Sequence, residues 1–426
     1  MFDPSAHDFY DPVSVDRELR RVSDVCHTCR RCHNLCPSFD VLFRALDRPE
    51  VDGEADRLTA KDLAEFSDLC FECRLCIPHC PYTPPHRWEI DIPRLVFRDR
   101  AARVKQDGKP GFRERVLAAT DAMGRVATAV APIANTLGQT RWARVLMEKT
   151  LGVHRDRRLP AWAPETFLQW WARRGGATAA SERAPRSDRV ALFVTCVINA
   201  NSPGIGRAAV AVLEKNGCEV VVPPQRCCGM PGLENGDLDA ARECRRDTVT
   251  ALLPLVRAGY TVVVPSPTCS LMLRKEYPVL GGESEAQEVA AATLDLCEFL
   301  MRRHAAGKLS TDFPRSPRKV LYQVPCHLKV QDIGFKSRDL LQLIPGAEVV
   351  TVEKCTGHDG TWSMKTEHFP MSMELGAPVF AAVAAERPDA IATDCVLAGV
   401  QIQQGTGQAP KHPIQIVAEA YGLRNL

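Results

Sequence analysis

One cysteine spacing, written twice near the start of the chain, constrains its fold more than any other feature. Cys26-x2-Cys29-x2-Cys32-x3-Cys36-Pro37 recurs as Cys70-x2-Cys73-x2-Cys76-x3-Cys80-Pro81. The run C-x2-C-x2-C-x3-C-P holds [4Fe–4S] clusters. Three thiolates on a tight loop grip one face of a cubane, and the proline turns the fourth cysteine away towards the other cluster. The expected sets are therefore Cys26, Cys29, Cys32 with Cys80, and Cys70, Cys73, Cys76 with Cys36. Structural zinc fits less well, because it takes its ligands in pairs to complete a tetrahedron.

The chain holds 18 cysteines in 426 residues: eight between positions 26 and 80, none between 81 and 195, and ten from 196 onward. This is too dilute for a small disulfide scaffold. The gap marks a domain boundary. Fifty-four basic against fifty-two acidic residues leave no global field, so a nucleic-acid partner is not expected. The opening MFDPSAHDFYDP has no apolar core of a secretory signal, and no run is long enough to span a membrane. The expected location is the cytoplasm, where clustered cysteines bind metal more often than they pair.

Residues 1–105 are expected to form the two-cluster domain, with helices over 58–71 and 89–105. Residues 106–188 are expected to be a helical linker, amphipathic over 112–150 and broken around Pro132. Within it, 141–174 is locally basic and carries Trp142, Trp162, Trp170 and Trp171. It packs the two halves together or lies on an anionic membrane surface, the inner face in a cytoplasmic protein. Residues 175–188 read as a flexible linker.

From 189 the texture is α/β, and it repeats. RVALFVTC (189–196) matches KVLYQVPC (319–326), CEVVVPPQRCCG (218–229) matches AEVVTVEKCTG (347–357), and YTVVVPSPTC (260–269) matches PDAIATDC (388–395). Cys196 to Cys227 is 31 positions and Cys326 to Cys355 is 29; Cys227 to Cys269 is 42 and Cys355 to Cys395 is 40. Each segment is an apolar, β-rich run ending near a cysteine, with helical stretches such as 204–216 and 238–257 between. Such alternation predicts parallel strands, and strand ends that deliver cysteines to one edge make a metal site. The first copy, expected over 189–310, gathers Cys196, Cys227, Cys228 and Cys269. The second, over 318–426, gathers Cys326, Cys355 and Cys395, with Thr356 where the first has Cys228.

The pattern Cys196…Cys227-Cys228-Gly229…Ser266-Pro267-Thr268-Cys269 resembles the CCG domain of heterodisulfide reductase-like iron–sulfur proteins. With two ferredoxin-type motifs before two such domains, the chain resembles the family of the C subunit of anaerobic glycerol-3-phosphate dehydrogenase. Cys355-Thr-Gly-His-Asp-Gly-Thr-Trp362 with Met364 and Lys365 is similar to that family's second CCG domain. The resemblance implies an α+β multidomain chain: a helical dicluster ferredoxin-like domain, a helical linker and two duplicated α/β CCG domains. It implies two N-terminal [4Fe–4S] clusters and a third cluster in the first CCG domain. The full motif ends in C-x-x-C, and here Ser266 and Ala392 stand at the first of those positions. The first copy keeps four cysteines, enough for one cubane. The second keeps three, so a fourth cluster lacks a full set unless His358 or Asp394 completes it.

Other signals have plainer readings. Gly204-Ile-Gly206-Arg-Ala-Ala209 mimics a dinucleotide fingerprint, but the next strand ends at Cys227-Cys228 rather than at an acidic ribose ligand, so it reads as a helix start. His27, His33 and His327 read as polar loop residues, with a quinone- or acid-binding pocket at His327 as the alternative. Cys218, Cys244 and Cys297 read as core or surface thiols. No flavin or nicotinamide site is seen, so substrate oxidation is assigned to a partner flavoprotein dehydrogenase. The expected function is electron transfer between that partner and a quinone or similar acceptor, as a component of an oxidoreductase whose substrate is oxidised on the partner chain. A heterodisulfide or thiol-type reductase at the CCG site is the alternative, and a non-redox metal-binding module a weaker one.

Overall fold

The computed structural model describes residues 2–176, 188–281 and 284–423. The chain has an α+β multidomain architecture and falls into two compact units. One comprises residues 1–115 with 231–242 and 279–282, and the other the remainder.

The first unit is helical. Helix Pro12–Cys29 starts at Asp11, whose carboxylate accepts from the amides of Val13 (3.4 Å) and Ser14 (3.1 Å). Such a cap is worth about 1 kcal/mol. The helix buries Val15, Leu19 and Val22, one stripe at helical spacing, and ends where Arg30 turns left-handed. Its last turn carries Cys26 and Cys29. Thr59 and Asp62 cap helix Ala60–Leu69 reciprocally, and that helix hands the chain to Cys70. Helix Ile92–Asp107 begins at Asp91 and stops at the left-handed Gly108. Phe39, Leu42, Phe66, Leu95 and Val96 join the first stripe in one core. The expected helices over 58–71 and 89–105 are thus present, shorter or shifted by two to three residues. The segment 231–242 belongs to this unit through Arg100, which donates to the Glu234 carbonyl at 2.9 Å. Gly236 sits at φ +77, and a Cβ there would lie 2.5 Å from the Arg100 carbonyl carbon.

The second unit contains two parallel sheets. Strands β1 (Arg189–Leu192), β2 (Glu219–Val221), β3 (Thr261–Val264) and β4 (Thr293–Asp295) have order β2-β1-β3-β4. Strands β5 (Lys319–Gln323), β6 (Glu348–Val352) and β7 (Ala390–Ala392) have order β6-β5-β7. Every pairing is parallel, and β2-β1-β3 maps onto β6-β5-β7, the three matched segment pairs of the repeat. One core runs through both copies, with Val190, Leu192, Val263, Val320 and Tyr322 among its members. Helix Pro203–Lys215 follows β1 at the glycine pair of the apparent dinucleotide fingerprint. A Cβ on Gly206 would stand 2.5 Å from the Phe167 ring, so that glycine serves helix packing.

The linker region forms helices Phe112–Ala118, Thr120–Ala129, Ala131–Gln139, Arg141–Leu151 and Phe167–Arg173. Pro132 occupies the first turn of its helix, where a missing N–H costs nothing. The 141–174 segment is not the uniform basic, aromatic surface its composition implied. Trp171, Arg144 and Arg157 are buried, and Trp162 and Trp170 are half-buried. Trp142 is 63 % exposed. All but the ends of 175–188 lies outside the described residues.

Candidate iron–sulfur centres

In the first unit Cys80, from the second motif, stands with Cys26, Cys29 and Cys32, from the first. The four line one cavity of about 300 Å³, counted with its open mouth, closed on its flanks by Phe43 and Tyr82. Burial, then the nearby Cys32, Cys80 and Cys29, pushes the Cys26 thiol up to about 12. Cys32 is also pushed to about 12, by burial and then by Cys80 and Cys36. The Tyr82 amide donates to the Cys80 sulfur at 3.4 Å.

Cys36 lies between the two sets, since its charge also reaches Cys32. It is among the groups that raise Cys70 and Cys76, whose thiols lie far above their ordinary range chiefly through burial. Cys36 is extended, as the residue before a proline must be, and opens helix Pro37–Leu46. Cys73 lies between Glu72 (φ +52) and Arg74 (φ +59), and Arg30 (φ +49) and Asn34 (φ +62) flank the first loop's cysteines. Left-handed backbone at such residues costs of order 1 kcal/mol each and concentrates at ligand clamps.

Sequence reading missed the surroundings of Cys70. The Arg100 guanidinium donates to the carbonyls of Ser67 (2.7 Å) and Cys70 (2.6 Å) and pairs with the buried Glu72 carboxylate at 3.7 Å. An arginine thirty positions away has no sequence signal that ties it to the motif. A positive charge this close to a cluster raises its reduction potential. Arg100→Met is expected to lower the midpoint potential of the cluster at Cys70, Cys73, Cys76 and Cys36 by tens of millivolts, read by potentiometric EPR.

In the second unit Cys196 opens helix Cys196–Asn201 just after β1, Cys227 and Cys228 lie in the loop after β2, and Cys269 lies in helix Pro267–Leu271 after β3. All four come off the carboxyl ends of parallel strands, where ligands bind in such sheets. The Cys196 and Cys227 sulfurs are 3.8 Å apart. Hydrogen bonds from Cys196 and Cys228 pull the Cys227 thiol well below its ordinary value. Cys196 is raised by its bond to Cys227 and by burial, and Cys228 by its bonds to Cys227 and Cys269 and by burial. Gly229 follows at φ +91, a conformation open to glycine. The linker adds Asp121, whose carboxylate accepts from the Cys227 amide at 2.8 Å. Nothing in the sequence marked Asp121 for this site. Cys218, Cys244 and Cys297 are buried; Cys244 feels the charge of Cys227.

In the second copy Cys326, Cys355 and Cys395 follow β5, β6 and β7. Burial raises all three thiols; Cys326 is raised next by Cys355 and Cys395. The Gly357 amide donates to the Cys355 sulfur at 3.2 Å. Asp394 is engaged in the core, accepting from the Tyr322 hydroxyl at 2.7 Å and from Ser337. His327 is 5 % exposed, and its Nδ1 lies 2.9 Å from the Thr268 hydroxyl. That hydrogen bond joins the copies: Thr268 adjoins Cys269, and His327 adjoins Cys326. Gln331 closes the same seam by donating to the Pro267 carbonyl (3.1 Å) and the Ser270 hydroxyl (2.9 Å).

Among the described residues no group of three or more His, Cys, Asp or Glu side chains forms a single-ion site. A cubane binds each thiolate to a separate iron, so its ligands stand farther apart than those of one ion. The donor chemistry fits iron–sulfur clusters: grouped soft thiols, buried or half-buried, which must release protons to a metal when they ligate it.

The chain is similar to known proteins over both units. Residues 19–106 match the citrate utilization protein B Fer4-like domain, and residues 190–274 and 320–403 each match the CCG cysteine-rich domain. The C subunit of anaerobic glycerol-3-phosphate dehydrogenase from Escherichia coli is 33% identical over 402 residues, covering 93% of this chain and 98% of that protein. The chain belongs to the family of that C subunit. Two further relatives match this family member in part. Lactate utilization protein A of Geobacillus thermodenitrificans is 35% identical over 188 residues, 42% of this chain and 75% of its own. The B subunit of fumarate reductase (CoM/CoB) from Methanothermobacter marburgensis is 31% identical over 221 residues, 50% of this chain and 42% of its own. Membership of the glycerol-3-phosphate dehydrogenase family gives the chain a redox, electron-transfer role with iron–sulfur binding.

Proposed function

We propose that this chain is an iron–sulfur electron carrier that links a partner flavoprotein dehydrogenase to a quinone-type acceptor. By analogy with the Escherichia coli relative, the partner is a glycerol-3-phosphate dehydrogenase. The ligand sets are Cys26, Cys29, Cys32 with Cys80; Cys70, Cys73, Cys76 with Cys36; and Cys196, Cys227, Cys228 with Cys269. The domains are 1–105, 106–188, 189–310 and 318–426. Iron–sulfur clusters supply one-electron chemistry. The chain's residues position the thiols and exclude water from them, and at Cys70 Arg100 opposes the charge of the Glu72 carboxylate. The single observation that carries the reading is that Cys80, from the second motif, lines one cavity with Cys26, Cys29 and Cys32, which supports two N-terminal sets tied into one two-centre device.

A second observation supports a peripheral membrane position, on the inner face in the cytoplasm. Helices Thr120–Ala129, Ala131–Gln139 and Arg141–Leu151 expose Val126, Val130, Ile133, Leu137, Trp142 and Leu146. The exposed charges over 119–152 are Arg125, Arg141 and Lys149, with no exposed carboxylate. An apolar face with Trp and cations suits an anionic lipid surface. No helix among the described residues is long and apolar enough to cross a membrane.

The test is anaerobic purification from the native host followed by vesicle flotation. The expected result is a co-purifying flavoprotein whose substrate reduces the iron–sulfur centres, which then reoxidise with added quinone. The chain is also expected to float with anionic vesicles, and Ile133→Glu with Leu137→Glu to cut that binding at least fivefold. Disulfide reduction by the isolated chain would favour the reductase reading instead.

A further inference from the structure

The second CCG copy is one cysteine short, and the structure points to what replaces it. We propose that a ring nitrogen of His358 is the fourth ligand of an iron–sulfur cluster held by Cys326, Cys355 and Cys395. The inference rests on the iron–sulfur reading of the chain and adds a site to it.

His358 stands three residues after Cys355. Both its ring nitrogens are shut off from solvent, and among the described residues neither has a hydrogen-bond partner. A neutral imidazole offers one donor and one acceptor, and burying both unpaired leaves the desolvation cost of each uncompensated. Such groups are rare in native proteins and mark an absent partner. Neither nitrogen makes a hydrogen bond to a cysteine sulfur, and the ligands of separate irons in a cubane stand farther apart than that.

The backbone sets the ring's place. Gly357 has φ +74, and a Cβ there would run into the Ser372 carbonyl, so no other residue fits. The Ser372 hydroxyl donates to the Gly357 carbonyl at 2.6 Å, and the Gly357 amide reaches the Cys355 sulfur. Cysteine, glycine and histidine are therefore locked in one turn. The other histidine beside this set, His327, has its Nδ1 committed to Thr268. Asp394 is committed to Tyr322 and Ser337. Asp359 carries a charge felt by all three thiols, but carboxylate oxygens suit harder ions, whereas imidazole suits iron.

The experiment uses the full chain, purified anaerobically, reduced, and labelled with 15N-histidine. Pulsed EPR is expected to show a strong 15N coupling from a directly bound imidazole. His358→Ala removes it and Asp359→Asn keeps it. Cys326→Ser is expected to lower bound iron by about four atoms per chain. If Cys326→Ser leaves iron unchanged, the site holds no cluster and the proposal fails. If iron falls but the wild type shows no strong 15N coupling, His358 is not the ligand. In both cases the N-terminal centres remain loaded and the electron-transfer reading stands; a chain without iron anywhere would sink that reading itself. The wild-type spectrum decides the matter even if His358→Ala folds poorly.

Discussion

Cys80→Ser empties or degrades the centre formed by Cys26, Cys29 and Cys32, although Cys80 lies in the other motif. Cys80 lines the cavity those three surround, and the Tyr82 amide steadies its sulfur. Cys36 is close enough to Cys70 and Cys76 to raise both thiols after burial, and is proposed as the fourth ligand of that set. The expected result is a loss of up to about four irons per chain from one centre, with the EPR signal of the other retained. Electron transfer from the reduced partner flavoprotein to quinone is expected to fall at least tenfold. Cys36→Ser is the mirror experiment and strikes the centre of Cys70, Cys73 and Cys76. Loss of that same centre in Cys80→Ser would mean that each motif closes on itself, and the crossed assignment would be wrong.

Arg157→Met has the largest expected effect on stability. Arg157 is 2 % exposed and faces no carboxylate in its hydrogen bonds. Its guanidinium donates to the Ser363 carbonyl (3.0 and 2.7 Å), the Ser372 hydroxyl (2.7 Å), Gln404 (3.2 Å) and Gln401, and it lies 4.7 Å from the centre of the Phe369 ring. Burial pulls its pKa down to about 10, still charged at neutral pH. Removing it strands several buried acceptors, and hydrogen bonds to a charged group are worth about 1.5–3 kcal/mol each. A loss of about 4 kcal/mol is expected, roughly 10 °C in Tm for a unit of this size. Arg157→Lys recovers little, because an ammonium cannot fork to these acceptors. Thermal unfolding of the full chain is the measurement. A change under about 1 kcal/mol would show that the acceptors find water or other partners.

Arg157 also shows where sequence reading stops. In the sequence it is one of several basic residues among tryptophans and counts towards a surface. In the fold it is a core residue, because acceptors more than two hundred positions away in the chain converge on it. Arg144 is likewise buried, but by local acceptors: it donates to the carbonyls of His154 and Arg155 (both 2.9 Å), ten and eleven positions on. Asp121 and Arg100 enter the cysteine sites from separate helices. The exposed apolar stripe ran the other way: 112–150 was legible as amphipathic, but which side lacked a protein partner was not.

The cysteines were legible because a cluster demands specific donors at specific spacing, and local chain reach limits how three thiols can surround one face. The repeat was legible because strand, turn and cysteine recur at nearly constant intervals, which also predicted parallel strands in both copies. The α+β architecture and the family therefore followed from the sequence alone. Only tertiary structure decided what sits around each set: the pairing of Thr268 with His327 across the copies, the engagement of Asp394 and the unpartnered ring of His358. Those facts depend on side chains brought together from distant strands and helices. A linear pattern records which donors are present, while packing determines which of them still lack a partner.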